Sequence, residues 1–350
     1  MDHTLHPSNA LENGNRTFFT FYSDFKTDNK VVVTIVETLA MSLVFIISLF
    51  INISAIVLMA KKKRIVTANC FVLNLFFADL MFISMIPFIL VIRWTERWIL
   101  GDFICQMLFY IICLSGCVTL ISLSAVSLER MICIMKITQA PTCNIRVVVC
   151  GLLGIWIFSA FTALPMFLFF KVVPQNVNGM EVQICTLVWP NIVEEIAWDI
   201  SFIILDFLVP GLSIIISYTK ILKITKSVRD HLVSSGAYSE NLQVLVSQKD
   251  FKLFRTLLIL MISFFFMWTP VFIIVLLLLI QNLHYNIFMP PSLFFWITTF
   301  TLSNSFLNPV LYNINLLRQK WMQAIFCCTV EETLETDTTI PKNENLNTSN

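Results

Sequence analysis

Asp79 stands in the run Leu73-Asn74-Leu75-Phe76-Phe77-Ala78-Asp79-Leu80, where most neighbours are apolar. Asn52, Thr119, Asn304 and Asn308 are set in other apolar stretches. An acid with amides and hydroxyls around it can hold a cation such as sodium, or titrate as a switch; the plainer alternative is a hydrogen-bond network that packs helices. Glu129-Arg130 puts an acid beside a base at the end of an apolar stretch, an ion pair that can be made and broken. Arg93 offers a carboxylate a guanidinium fork. It suits equally an arginine snorkelling to a membrane interface, or one paired with Glu37 or Glu96. Lys171 and Arg97 come next as carboxylate partners. Asp206 lies among aliphatic residues, where an ionised acid is costly, so a protonated or hydrogen-bonded form is expected. Catalysis has little to work with. His3, His6, His231 and His284 fall in tails or loops, and Asp79 and Asp206 should lie at different depths, which disfavours a two-acid protease. No enzyme activity and no cofactor are expected.

The elements that hold these residues are seven apolar stretches, at 32–60, 68–93, 103–135, 146–169, 196–225, 253–281 and 290–314. Each is long enough for a helix to cross a bilayer, which takes about 20 apolar residues. The chain of 350 residues is 57% hydrophobic and 13% charged, against about a quarter charged in a soluble domain. Its 23 Lys and Arg are split unevenly. Lys61, Lys62, Lys63, Arg64, Arg130, Lys136, Arg146 and the basic residues of 220–255 lie on the side of the C-terminal tail, whereas Arg16, Lys26, Lys30, Arg93, Arg97 and Lys171 lie on the other. The positive-inside rule then puts the N-terminus outside and the tail in the cytoplasm. The polar start, Met1 to Ala10, does not read as a cleavable signal, so the first crossing must direct insertion. A net charge of +1 gives no basis for a nucleic-acid partner.

The expected fold is therefore an all-α membrane protein, a seven-transmembrane helix bundle at 32–314 behind an outer tail at 1–31. Residues 315–328 alternate charged and apolar residues at helical spacing and predict a short amphipathic helix on the membrane surface. Residues 329–350 read as a disordered cytoplasmic tail. Asn15-Arg16-Thr17 is a glycosylation sequon on the outer side. Cys105 and Cys185 both face an oxidising compartment, where a disulfide would staple the longest outer loop to the third crossing. Cys327 and Cys328 are palmitoylation candidates, or simply cysteines near an apolar surface. Thr333, Thr336, Thr338 and Thr339, among acids, form a candidate phosphorylation cluster, with a plain solvated tail as the alternative. Pro87, Pro165, Pro210, Pro270 and Pro309 fall in or near the ends of crossings, where each allows a kink.

Taken together, Asn52, Leu75-Phe76-Phe77-Ala78-Asp79, Glu129-Arg130-Met131, Trp156, Pro210 with Tyr218, Phe264 through Pro270, and Asn308-Pro309-Val310-Leu311-Tyr312 resemble a rhodopsin-like (class A) G-protein-coupled receptor. Glu-Arg-Met stands where Asp-Arg-Tyr is usual, and Met267 where Cys is usual. The resemblance implies a receptor in the plasma membrane, and possible passage to endosomes after internalisation. Its partners would be a heterotrimeric G protein (Gq-type), arrestin and receptor kinases. It implies a switch made of Asp79, Glu129, Arg130, Tyr218, Phe264, Trp268, Pro270, Asn308, Pro309 and Tyr312. An amine ligand is disfavoured, because the place of the amine-binding Asp in helix three is taken by Ile112. Runs such as Ile92-Arg93-Trp94-Thr95-Glu96 and Ile184-Cys185-Thr186-Leu187-Val188-Trp189-Pro190 resemble the branch of that family for long-chain fatty acids.

Three helical stripes would line the ligand site: Phe109, Ile112, Cys113 and Gly116; Trp198, Phe202 and Asp206; Trp268, Val271 and Val275. Trp98, Trp189, Phe294 and Thr298 complete the expected lining, with Arg93 at the carboxylate. Such a pocket suits a long apolar ligand, since each buried methylene contributes about 0.8 kcal/mol. The same stripes would also suit lipid-facing surface. The alternatives are a receptor for another lipid-like or apolar ligand, and, more remotely, an ion-coupled transporter.

Overall fold

Long apolar runs without water must satisfy their own backbone groups, and helices are the simplest way to do so. The computed structural model describes residues 16–19, 30–60, 67–135, 145–177, 180–234, 259, 261–280, 283 and 291–311. In chain order these give β1 (Arg16–Phe19), α1 (Lys30–Ala60), α2 (Thr67–Ile83), α3 (Ile86–Thr95), α4 (Gly101–Met135) and α5 (Ile145–Phe169). β2 (Phe170–Val177), β3 (Met180–Trp189), α6 (Ile192–Phe202), a π-helical turn (Ile203–Leu208) and α7 (Val209–Ser234) follow. The last are α8 (Met261–Ile280), α9 (Pro291–Leu302) and α10 (304–311).

Among the described residues, six spans are long and apolar enough to cross a membrane: Val31–Ala60, Cys70–Thr95, Gly101–Ile132, Arg146–Phe169, Ile192–Ile224 and Met261–Ile280. They match the first six predicted stretches. The seventh is α9 with α10, separated at Ser303, whose hydroxyl donates to Phe300 O at 2.5 Å. All the described residues fall in one unit, Met1–Asn313. Asn15, Tyr312, the predicted surface helix at 315–328, Cys327, Cys328, Thr333, Thr336, Thr338 and Thr339 lie outside the described residues.

α4 is the central post and packs against α2, α5 and α7. Prolines shape the bundle as their chemistry requires. Pro87 follows the break between α2 and α3, while Pro165 sits inside α5. Pro210 cannot donate to the turn before it, and there the chain winds wide: Val209 N–H reaches Ile204 O, five residues back.

One end of the bundle carries a feature that the all-helical expectation did not include. A three-stranded antiparallel sheet, in the order β1-β3-β2, covers it. β2 and β3 form a hairpin pairing Phe170 with Leu187 and Val177 with Met180, and β1 adds along β3 from Arg16↔Trp189 to Phe19↔Thr186. Cys185 in β3 is bonded to Cys105 near the start of α4, as expected. Trp98 N–H donates to Gln183 O at 2.7 Å, a second tie between bundle and sheet.

Candidate functional site

Under the sheet lies a cavity of about 190 Å³. α4 contributes Phe109, Ile112, Cys113 and Gly116, the stripe predicted for the third crossing. α6 contributes Trp198 and Phe202, α8 contributes Trp268, Val271 and Val275, α9 contributes Phe294 and Thr298, and Trp189 closes it from β3. Eleven of the fourteen predicted ligand residues are thus brought to one space.

The other three are placed elsewhere. Asp206 is fully buried but turned toward α5, where Thr162 Oγ1 lies 3.4 Å from its Oδ1. The predicted stripe Trp198–Phe202–Asp206 assumes an unbroken α-helix, and the π-turn after Phe202 rotates Asp206 off it. Trp98 is buried beside the loop, its indole N–H donating to Gly101 O at 2.8 Å. Arg93 is 2% exposed and does not line the cavity. Its Nε donates to Glu37 Oε2 at 2.9 Å, its Nη2 bonds the same oxygen, and its guanidinium lies 4.8 Å from the Phe295 ring centroid. The structure therefore takes up the Glu37 pairing among the readings open for Arg93: the carboxylate it grips belongs to the protein.

Residues not singled out from sequence add to the wall, among them Phe82, Cys117, Leu120, Met166, Phe170, Leu187, Phe272 and, on α6, Glu195 and Asp199. Glu195 and Asp199 are one turn apart on the same face as Trp198 and Phe202, a spacing that could have flagged them. Among the described residues, no Lys, Arg or His lines the cavity.

The aromatic side chains form a continuous ladder. Centroids are 5.6 Å apart for Trp189–Trp198, 4.7 Å for Trp198–Phe202, 5.5 Å for Phe202–Phe272, 4.4 Å for Phe272–Phe207 and 5.8 Å for Phe207–Phe264. The ladder joins the sheet to Phe264, a predicted switch residue, in α8. Trp268 forms part of the cavity wall, near-parallel to Phe82 at 6.0 Å, and a Cβ on Gly116 would meet its ring at 3.4 Å.

Away from the aromatic ladder the core is polar. Asn308 Nδ2 donates to Asp79 Oδ2 at 3.0 Å, and Asn52 Nδ2 to Ser305 O at 2.8 Å. Trp156 Nε1 donates to Asn74 Oδ1 at 2.7 Å, and Asn74 Nδ2 to Ser122 Oγ at 2.8 Å. Of the five polar residues singled out in the crossings, Asp79, Asn308 and Asn52 are hydrogen-bonded, whereas Thr119 Oγ1 and Asn304 Nδ2 are buried without a partner among the described residues. Asp79 Oδ1 is buried without a hydrogen-bond partner among the described residues. Toward the far end of α4, Ser127 Oγ donates to Tyr218 OH at 3.0 Å, and Arg130 Nε lies 3.7 Å from Glu129 Oε2, with Arg130 partly exposed. Pro270 is in α8, and Pro309 is buried in α10.

The bundle of apolar spans, its outer hairpin tied by Cys105–Cys185, and the Asp79–Asn308 core fit a receptor of the seven-transmembrane class. The chain belongs to the rhodopsin family of such receptors: the family model described as 7 transmembrane receptor (rhodopsin family) matches residues 51–312. Free fatty acid receptor 4 of Mus musculus is 49% identical over 344 residues, covering 97% of this chain and 95% of that protein. Free fatty acid receptor 4 of Rattus norvegicus is 50% identical over 325 residues, 92% and 90% of the two chains. Galanin receptor type 1 of Homo sapiens is 27% identical over 287 residues, 79% and 77%. This is a multi-pass membrane receptor and not an enzyme.

Proposed function

We propose that this receptor responds to medium- to long-chain free fatty acids. The observation that carries the reading is half identity, over nearly the whole chain, to two receptors named for free fatty acids. The cavity suits it: an acyl chain needs aromatic and aliphatic walls with few polar groups, and Phe109, Trp198, Phe202, Trp268 and Phe294 provide them. Ten buried methylenes would contribute about 8 kcal/mol, the scale of micromolar binding.

The carboxylate is the harder part. With Glu195 and Asp199 in the wall, an ionised head needs a cation at the sheet end, which we take as extracellular. Lys171 and Arg97 are exposed there. Arg93 would serve as the anchor only by leaving Glu37. Ligand pressure on Trp268 and on the ladder to Phe264 shifts α8 about Pro270, loosens Glu129 from Arg130, and lets Tyr218 and Tyr312 rearrange toward Arg130. The open state then engages a G protein of the Gq/11 type. Phosphorylation of the tail threonines by receptor kinases recruits arrestin and takes the receptor to endosomes. Sodium at Asp79 would favour the closed state.

Calcium release in cells expressing the chain, on addition of unsaturated C16–C20 acids, tests the reading. Wild type should respond, and Lys171→Ala should lose potency. If wild type is silent at confirmed surface expression, with a control receptor responding, the fatty-acid reading fails.

A further inference from the structure

Asp199 on α6 calls for a partner that a fatty acid does not supply. Glu195 and Asp199 are 3% and 7% exposed, and both line the cavity. One helical turn separates them, so their carboxyl groups stand as neighbours on one face. Their placement is built: Asn191 caps α6, accepting Glu194 N–H at 2.9 Å, which fixes the turn that carries Glu195. Asp199 has no side-chain hydrogen bond or ion pair among the described residues, although it is more than nine-tenths buried. A buried carboxyl group without a donor is a standing cost unless a ligand brings one. The walls beside it are aromatic. Trp198 lies between the two acids in sequence, with Trp189 at 5.6 Å and Phe202 at 4.7 Å from its ring. Carboxylates together with indole faces are the chemistry that holds an ammonium group, by charge-assisted hydrogen bonds and cation–π attraction.

We propose that the α6 wall of the cavity is a head-group site for long-chain primary amines, with the ammonium held by Asp199 and Glu195 and the alkyl chain along Phe202, Trp268 and Val275. The absence of the amine-binding Asp at Ile112 does not oppose this, because the acids come from another crossing. The inference rests on the cavity being a ligand site and stands apart from the fatty-acid reading.

The test is direct binding to the full chain in phosphatidylcholine nanodiscs, with binding to empty nanodiscs subtracted. The probes share one C18 chain: oleylamine, oleyl alcohol and oleate. Oleylamine should bind at least tenfold tighter than oleyl alcohol. Asp199→Asn should weaken oleylamine at least tenfold, leave the alcohol within threefold, and strengthen oleate by removing a like charge. Asp199→Glu should restore the amine. Amine binding no tighter than alcohol, or equal losses for amine and alcohol in Asp199→Asn, would overturn the proposal. Alcohol binding reports that a variant is folded; if Asp199→Asn loses it, Glu195→Gln carries the same comparison. Oleate binding without amine binding sinks this inference alone, and the reverse sinks the fatty-acid reading alone.

Discussion

Under the sheet, Trp189, Trp198, Phe202, Phe272 and Phe207 touch ring to ring, in contacts whose orientation preference is worth only about 0.5–1.5 kcal/mol each. Around Asp79, contacts run through single hydrogen bonds: Asn308 to Asp79, Asn52 to Ser305, Trp156 to Asn74. The first region can accept a guest of variable shape, because stacked rings slide at little cost and still exclude water. The second cannot change gradually. Each of its hydrogen bonds is either made or lost, and a buried lost one costs about 1–3 kcal/mol. On the proposed reading, a soft sensor joined to a stiff relay would give a graded input and a two-state output, which is what a ligand-driven population shift needs.

Five single substitutions would break or sharpen this contrast. The largest effect belongs to Cys105→Ser, because the disulfide holds the sheet over the soft region. It closes 80 residues, and the chain-entropy argument assigns it about 4.5 kcal/mol. Surface expression should collapse, and ligand binding with it; normal levels of both would show that the sheet needs no staple. Next is Arg93→Ala, which strands Glu37. Leaving a buried charge alone costs about 3–5 kcal/mol, so thermal stability should fall without ligand present. Arg93→Leu with Glu37→Leu should recover it. If stability is unchanged and only fatty-acid potency falls, Arg93 is a ligand anchor after all.

Trp198→Ala removes a rung of the ladder, and potency of a C18 acid should fall about 30-fold or more, for a loss of about 2–4 kcal/mol. Asp79→Asn, read by the same calcium assay, should barely alter ligand affinity but should alter maximal response and its dependence on sodium. Equal effects of these two on affinity would erase the distinction between the regions. The smallest effect is Gly116→Ala. The added methyl reaches ordinary contact with Trp268 at 3.4 Å, so expression should hold while the preferred acyl length shortens by about one to two carbons, read from a chain-length series.

How much of this was legible in the sequence depends on the range of the physics involved. The bundle was, because crossing a bilayer imposes length and hydropathy residue by residue. So were the stripes on α4 and α8, since 3.6-residue periodicity runs unbroken there. Asp206 was misplaced because a π-turn is a local winding choice that spacing does not record. The β2–β3 hairpin was missed, although Glu181-Val182-Gln183-Ile184 alternates polar and apolar as a strand should. The partner of Arg93 stayed open because Glu37 is 56 residues away, and only the packed bundle brings them together.

That ion pair has a consequence for how the protein is made. Glu37 lies about two turns inside α1, and an acid within a crossing raises the free energy of its transfer into lipid. Its neutralising partner emerges from the ribosome 56 residues later, at the end of the second crossing. The first helix is therefore a reluctant passenger alone and a stable one in company. The first two crossings should leave the translocon as a hairpin, with Glu37 and Arg93 as the latch that commits them.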